Sequence, residues 1–279
     1  MPVSHHGAQR ASRHRSYRMV IVALLASFVA IGGIVTNPTP VAAAGKKVVI
    51  VVGPVGSSTA NYIYNAKKLA AQARAYGATV YEIYSPHATW TNVRGIAQGA
   101  NLFIYLGHGN GYPSPYGAFS AYSKDGLGLN SYDGSSSHAY YGEYYVSHYL
   151  RFAPNAVVIL NRLCYASGDS EWGAANPTKT TARQRADNYA AGFLRTGARA
   201  VFAEGIDSVS YILYSLFRTS RTVQQTFWAD PAAKHYYAFG FASSRTPGKY
   251  ALMDPYAPSR YYKSVVGDLG MTAASWRAG

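Results

Sequence analysis

The sequence predicts an α/β fold: a doubly wound, mostly parallel sheet flanked by helices. Three observations carry this. Short apolar runs without alternation recur at Val48–Val52, Leu102–Leu106 and Ala156–Leu160, as strands buried on both faces require. Segments with apolar residues at helical spacing lie between such runs. Strand and helix alternate, which implies βαβ units with right-handed crossovers and helices on both faces.

The first strand, Val48 to Val52, ends at Gly53, and a small-residue turn follows to Ser58. Ile63, Ala66, Leu69, Ala70, Ala73 and Tyr76 then mark a helix, with Ser58 or Thr59 as cap and Gly77 as the stop. Thr79 to Tyr84 reads as a second strand, Thr91 to Gln98 as a short helix, and Leu102 to Leu106 as a third strand ending at Gly107. A fourth strand spans Ala156 to Leu160. A helix spans Thr181 to Arg195 and closes at Gly197, and a fifth strand follows from Ala198 to Ala203.

Two regions break the alternation. Residues 112–149 hold nine tyrosines spaced by Gly, Ser and Asp. This predicts a Tyr-rich insertion over about 110–150, a long loop leading into a short helix around Gly142 to Phe152; such loops are often binding loops or lids. From about 236 to 279, Tyr236, Tyr237, Tyr250, Tyr256, Tyr261 and Tyr262 stand among Pro and Gly. That composition predicts an irregular C-terminal segment with edge strands.

Residues 1–44 read as a secretory signal peptide. Arg10, Arg13, Arg15 and Arg18 form a basic region, Met19 to Val35 is an apolar run, and Ala42-Ala43-Ala44 offers a small-residue cleavage site before Gly45. Residues 45–279 then form a single secreted domain, with no membrane association after cleavage. Of 279 residues, 48% are hydrophobic and 14% charged, which excludes a disordered polar chain. One cysteine excludes an intramolecular disulfide framework and a Cys-rich zinc site. All 12 acidic and 22 of the 26 basic residues lie in 45–279, a net charge of +10. Such a field favours anionic partners, an anionic cell-wall polymer among them. The bases are scattered and no nucleic-acid signature is present, so no specific nucleic acid is expected.

In open α/β sheets, ligands bind past the carboxyl ends of the strands. The loop after strand one, Gly53 to Thr59, lacks the lysine of a phosphate loop, and Gly107-His108-Gly109-Asn110-Gly111 after strand three is no G-x-G-x-x-G. G-x-S-x-G and H-E-x-x-H are absent, and the histidines at 87, 108, 138, 148 and 235 lack zinc-site spacing. No cofactor and no metal ion is therefore expected. After strand four comes Asn161-Arg162-Leu163-Cys164. If strands three and four are neighbours, the single cysteine and a Gly-flanked histidine emerge at one end of the sheet. A close imidazole lowers a thiol's pKa or takes its proton, and Gly109, without a Cβ, brings its N–H close to a developing oxyanion. Cys164, His108 and Gly109 are thus the candidate catalytic residues for acyl transfer on a peptide or protein substrate. Asp169 and Glu171, just past the cysteine, are candidate substrate-binding residues for a basic side chain; as acids in a loop they also suit capping. A binding module on the same scaffold, with tyrosines on glycan, is the other class left open, and the reactivity of Cys164 separates the two.

The strand-His-Gly of Phe103 to Gly109 and the strand-then-Cys of Val157 to Cys164 resemble the caspase–hemoglobinase fold of cysteine peptidases, which includes caspases, legumains, clostripains and gingipains. The resemblance covers about residues 46–206. The 56-residue separation agrees with the roughly 50 expected for caspases. It implies His108 as base, Cys164 as nucleophile and the Gly109 N–H as oxyanion donor. Leu163 stands where those peptidases usually carry Ala, and no caspase-type Gln-Ala-Cys-Arg-Gly is present.

Overall fold

A computed structural model describes residues 45–279; the signal peptide expected over 1–44 lies outside the described residues. The chain builds an α/β fold around an eight-stranded, mostly parallel sheet. Its strands are β1 (Lys47–Val52), β2 (Thr79–Tyr84), β3 (Leu102–Leu106), β6 (Val157–Asn161), β7 (Ala200–Glu204), β8 (Phe239–Ala242), β9 (Tyr250–Met253) and β10 (Lys263–Gly267). A separate hairpin pairs β4 (Leu127–Asn130) with β5 (His138–Tyr141). The helices are α1 (Thr59–Ala75), α2 (Trp90–Ile96), α3 (Glu143–Tyr149), α4 (Lys179–Leu194), α5 (Ser210–Arg218), α6 (Val223–Phe227) and α7 (Ala273–Ala278).

The strand order is β2-β1-β3-β6-β7-β10-β9-β8. The first five run parallel, and β10, β9 and β8 continue antiparallel. Side chains in the central strands alternate between two cores, as the period of two demands. Val49, Val51, Phe103, Tyr105, Val158 and Leu160 pack with Val93 of α2, Val146 of α3 and Ala186 of α4. Val48, Ile50, Val52, Ile104 and Ile159 pack with Ala66 of α1, Ile212 of α5, Phe227 of α6 and Trp276 of α7. The sheet is therefore covered by helices on both faces, which is why its runs are apolar without a break. Each such Val, Ile or Phe contributes about 1.5–3 kcal/mol relative to an exposed one.

Two regions differ from the sequence expectation. The C-terminal segment, expected as an irregular stretch with edge strands, supplies the edge strand β8 but also β9, β10 and α7, and all of β10 is buried between β7 and β9. The strands are short, and β10 opens on a buried lysine, so periodicity hides them. The Tyr-rich insertion is more than a loop into a helix: it folds into the β4–β5 hairpin before α3. It is tied down from α4, where Arg185 Nε donates to Pro113 O (2.6 Å), Asn188 Nδ2 to Tyr112 O (2.8 Å) and Tyr189 Oη to Gly126 O (2.9 Å). Glu143, buried at the start of α3, accepts both Nη2 bonds of Arg245 at 2.7 and 2.8 Å and pairs with Arg195.

Candidate active site

Strands β3 and β6 are parallel neighbours, with Leu106 opposite Asn161. His108 lies two residues past the first and Cys164 three past the second, so both loops leave the same sheet end. They touch through backbone. A Cβ at Gly109 would lie 2.0 Å from the Cys164 carbonyl oxygen, so no other residue fits there without moving the cysteine loop. Among the described residues the Gly109 N–H donates no hydrogen bond.

Tyr105 holds the histidine loop from below. Its buried hydroxyl donates to Gly128 O at 2.8 Å, lies 3.1 Å from His108 O and accepts from the Gly128 N–H at 2.9 Å. One strand residue thereby joins the hairpin to the loop. Gly107 makes room for it: a Cβ there would fall 2.2 Å from the Tyr105 hydroxyl oxygen.

The cysteine loop is bent tightly. Arg162 and Tyr165 both take left-handed backbone, at φ 61° and 69°, which costs a non-Gly residue on the order of 1–3 kcal/mol each and collects at functional sites. Long-range and local bonds hold the bend. The Arg162 N–H donates to Glu204 O at 2.7 Å, the Ala166 N–H to Cys164 O at 2.9 Å and the Gly168 N–H to Tyr165 O at 3.0 Å.

The electrostatics correct one expectation. The Cys164 thiol is pushed up from its ordinary pKa rather than down, first by burial and then by the Glu171 charge. Contacts with backbone N–H groups, including that of Trp172, oppose this without reversing it. His108 is pushed down, by burial and by the neighbouring His138. Each group is thereby biased toward its neutral form, which does not favour a preformed thiolate–imidazolium pair. His138 comes from β5, with its ring centroid 4.6 Å from that of His108 and 4.9 Å from that of Tyr140. Nothing local in the sequence attaches His138 to this site, because only the hairpin brings it there.

Asp169 and Glu171 fare differently. Asp169 is buried; Oδ1 accepts from the Ser170 N–H at 2.8 Å and Oδ2 lies 3.4 Å from Arg260 Nε. Its charge is answered within the protein, the loop-holding role that acids in such loops suit. Glu171 is half-buried and accepts from the Tyr116 hydroxyl at 2.5 Å. The two line a cleft of about 270 Å³ with Trp172, Asn176 and Arg260, and Trp172 stands 95% exposed at its edge. Tyr116 and Trp172 carried no individual signal in the sequence.

Among the described residues no three His, Cys, Asp or Glu side chains are grouped to hold a metal ion. Among them, too, no helix is long and apolar enough to cross a membrane. No protein-family description matches the chain, and no curated protein matches it in sequence.

Proposed function

We propose that the chain is a secreted cysteine-dependent hydrolase acting on peptide or protein substrates, a divergent relative of the caspase–hemoglobinase peptidases. The observation that carries this reading is the seating of the Gly109 backbone on that of Cys164 at the carboxyl ends of β3 and β6. It supports the reading because it brings together the two loops that carry His108 and Cys164, the residues proposed as base and nucleophile, with the Gly109 N–H left without a partner among the described residues.

The pKa directions favour general-base activation. His108 takes the thiol proton as sulfur attacks the carbonyl carbon, and a C–S bond forms. The Gly109 N–H holds the oxyanion. Collapse breaks the C–N bond, and the imidazolium delivers its proton to the leaving amine. His108 then deprotonates water, which attacks the thioester; a C–O bond forms, the C–S bond breaks and the thiol regains its proton. A lowered His108 pKa keeps the base unprotonated into mildly acidic solution.

Digestion of an unbiased peptide library, read by mass spectrometry, tests this. The wild type cleaves, and Cys164→Ser and His108→Ala do not. A wild type that cleaves nothing, with Cys164 unreactive to iodoacetamide until denaturant is added, overturns the hydrolase. The raised thiol pKa is the observation favouring that second reading, a catalytically silent binding module.

A further inference from the structure

The outer side of α2 and α3, away from Cys164 in the chain, carries a continuous aromatic surface. Trp90 stacks on Tyr141 at 5.1 Å and meets Tyr145 edge-on at 5.5 Å. Tyr145 lies 5.7 Å from Tyr144, which stacks on His148 at 4.1 Å. Tyr122, 60% exposed, extends the row 4.8 Å beyond Tyr144. The row is anchored on the core through Trp90 and Tyr141 and opens to solvent outward, with His148 and Tyr122 exposed and Tyr144 and Tyr145 half-buried.

Its charge has one sign. The Arg94 guanidinium sits 4.6 Å over the Tyr149 ring, and exposed Arg151 closes the end of α3. The acid of α3, Glu143, is buried and already paired with Arg195 and Arg245. α2 has no acidic residue.

We infer that this face docks an anionic polysaccharide, a chain of pyranose rings bearing carboxylates. The flat apolar faces of tyrosine and tryptophan suit the C–H face of a sugar ring, and the phenol tips offer hydrogen bonds to its hydroxyls. The arginine fork matches a carboxylate. A ringless polyphosphate uses the cations and leaves the aromatic row idle; a neutral glycan does the reverse. A charged pyranose chain engages both. The inference holds whether or not Cys164 is a nucleophile.

Affinity electrophoresis in gels cast with sodium polygalacturonate, its fully methyl-esterified form, or linear polyphosphate tests it. Polygalacturonate retards the protein, and the other two do so about tenfold more weakly. Arg94→Gln and the double substitution Tyr144→Ala/Tyr145→Ala each weaken the retardation by about tenfold, while Cys164→Ser leaves it unchanged. Added salt weakens it further. Tyr122→Ala, at an exposed position, serves should the double variant lose its helix. Equal retardation by polyphosphate would reduce the effect to net charge, and equal retardation by the ester would remove the role of the arginines. No retardation, or a wild type that sediments as a dimer and an Arg94→Gln variant that sediments as a monomer, overturns the inference, the latter in favour of a second copy on this face.

Discussion

One strand apart, at the carboxyl ends of β6 and β7, buried titratable groups are handled in two ways. Past β6 and its neighbour β3, the Cys164 thiol is pushed up and the His108 imidazole down, each first by burial. The turn around them is left-handed at two residues, and both side chains stay partly open to solvent. At the end of β7, Glu204 is pushed up to about 8, first by burial and then by the nearby acids Asp230 and Asp207, against the pull of Lys263. Here the surroundings are closed. Lys263, its register partner on β10, is 5% exposed and lies 2.6 Å from Asp230 Oδ2, an ion pair out of hydrogen-bond alignment. Neither Glu204 carboxyl oxygen has a hydrogen-bond partner among the described residues. The difference teaches that a displaced pKa alone does not mark a reactive site. The closed group of charges at β7 ties neighbouring strands together, whereas the Cys164 and His108 loops stay partly open to solvent.

Substitutions separate the two clusters, and the largest effect belongs at Cys164. Cys164→Ser lowers hydrolysis by roughly 10⁴–10⁶-fold, the range seen when a nucleophile is removed, and changes the unfolding free energy from urea titration by less than about 1 kcal/mol. In the wild type, iodoacetamide alkylation lags that of free cysteine at pH 7 and keeps rising with pH beyond the ordinary thiol range, because the thiol is raised. A thiol that instead outpaces free cysteine at pH 6 would restore the preformed thiolate.

Lys263→Met gives the reverse pattern. It strands Asp230, Asp254 and Glu204 without their cation and costs about 3–5 kcal/mol in denaturant titration. Alkylation of Cys164 in the folded protein is unchanged. A stability loss below about 1 kcal/mol would mean that the cluster is not sealed.

Glu204→Gln acts on the same cluster through pH. The folded pKa, near 8, lies above the ordinary value of 4.5, so the fold favours the protonated acid. The resulting stability is complete below pH 4.5 and is lost as pH rises through 8. The variant has a flatter stability profile between pH 5 and 8 and gains up to a few kcal/mol above it. Equal slopes in both proteins would place the buried charge elsewhere.

The smallest effect is expected at His138. Removing it in His138→Ala takes a like charge from beside His108, so the His108 pKa rises toward its ordinary value. Proton NMR of the imidazole reads this directly, and the acid limb of alkylation moves the same way. His108 is faced by His138 from the hairpin, by the Tyr105 hydroxyl at its own carbonyl, and at Gly109 by the Cys164 loop. An unmoved His108 titration would make His138 a packing residue only.

Much of this layout was legible in the chain before any coordinates. The five parallel strands lie within two residues of the runs that mark them, and the central ones are plainest because a strand covered on both faces is apolar at every position, as Val48 to Val52 and Leu102 to Leu106 are; the edge strand β2, with Thr79, Tyr81 and Glu82 exposed, is not. Gly107, His108 and Gly109 announced a bend where a strand ends, and Cys164 followed the next apolar run. These are local signals, written within a dozen residues.

Tertiary structure decided what local signals do not contain. β10 lies between β7 and β9, although nothing near Lys263 says that its charge will be met by Asp230 from the chain segment after α6. His138 reaches His108 through a hairpin 30 residues away in sequence. Asp169 is spoken for by Arg260, 91 residues on. The direction of the Cys164 pKa belongs here too: an adjacent imidazole in the sequence pattern argued for a thiolate, but burial and the Glu171 charge outweigh it. The physical reason is the same in each case. Periodicity reports which faces of an element are dry, whereas ionisation and strand order depend on which distant groups share the space, and only the packed chain brings those together.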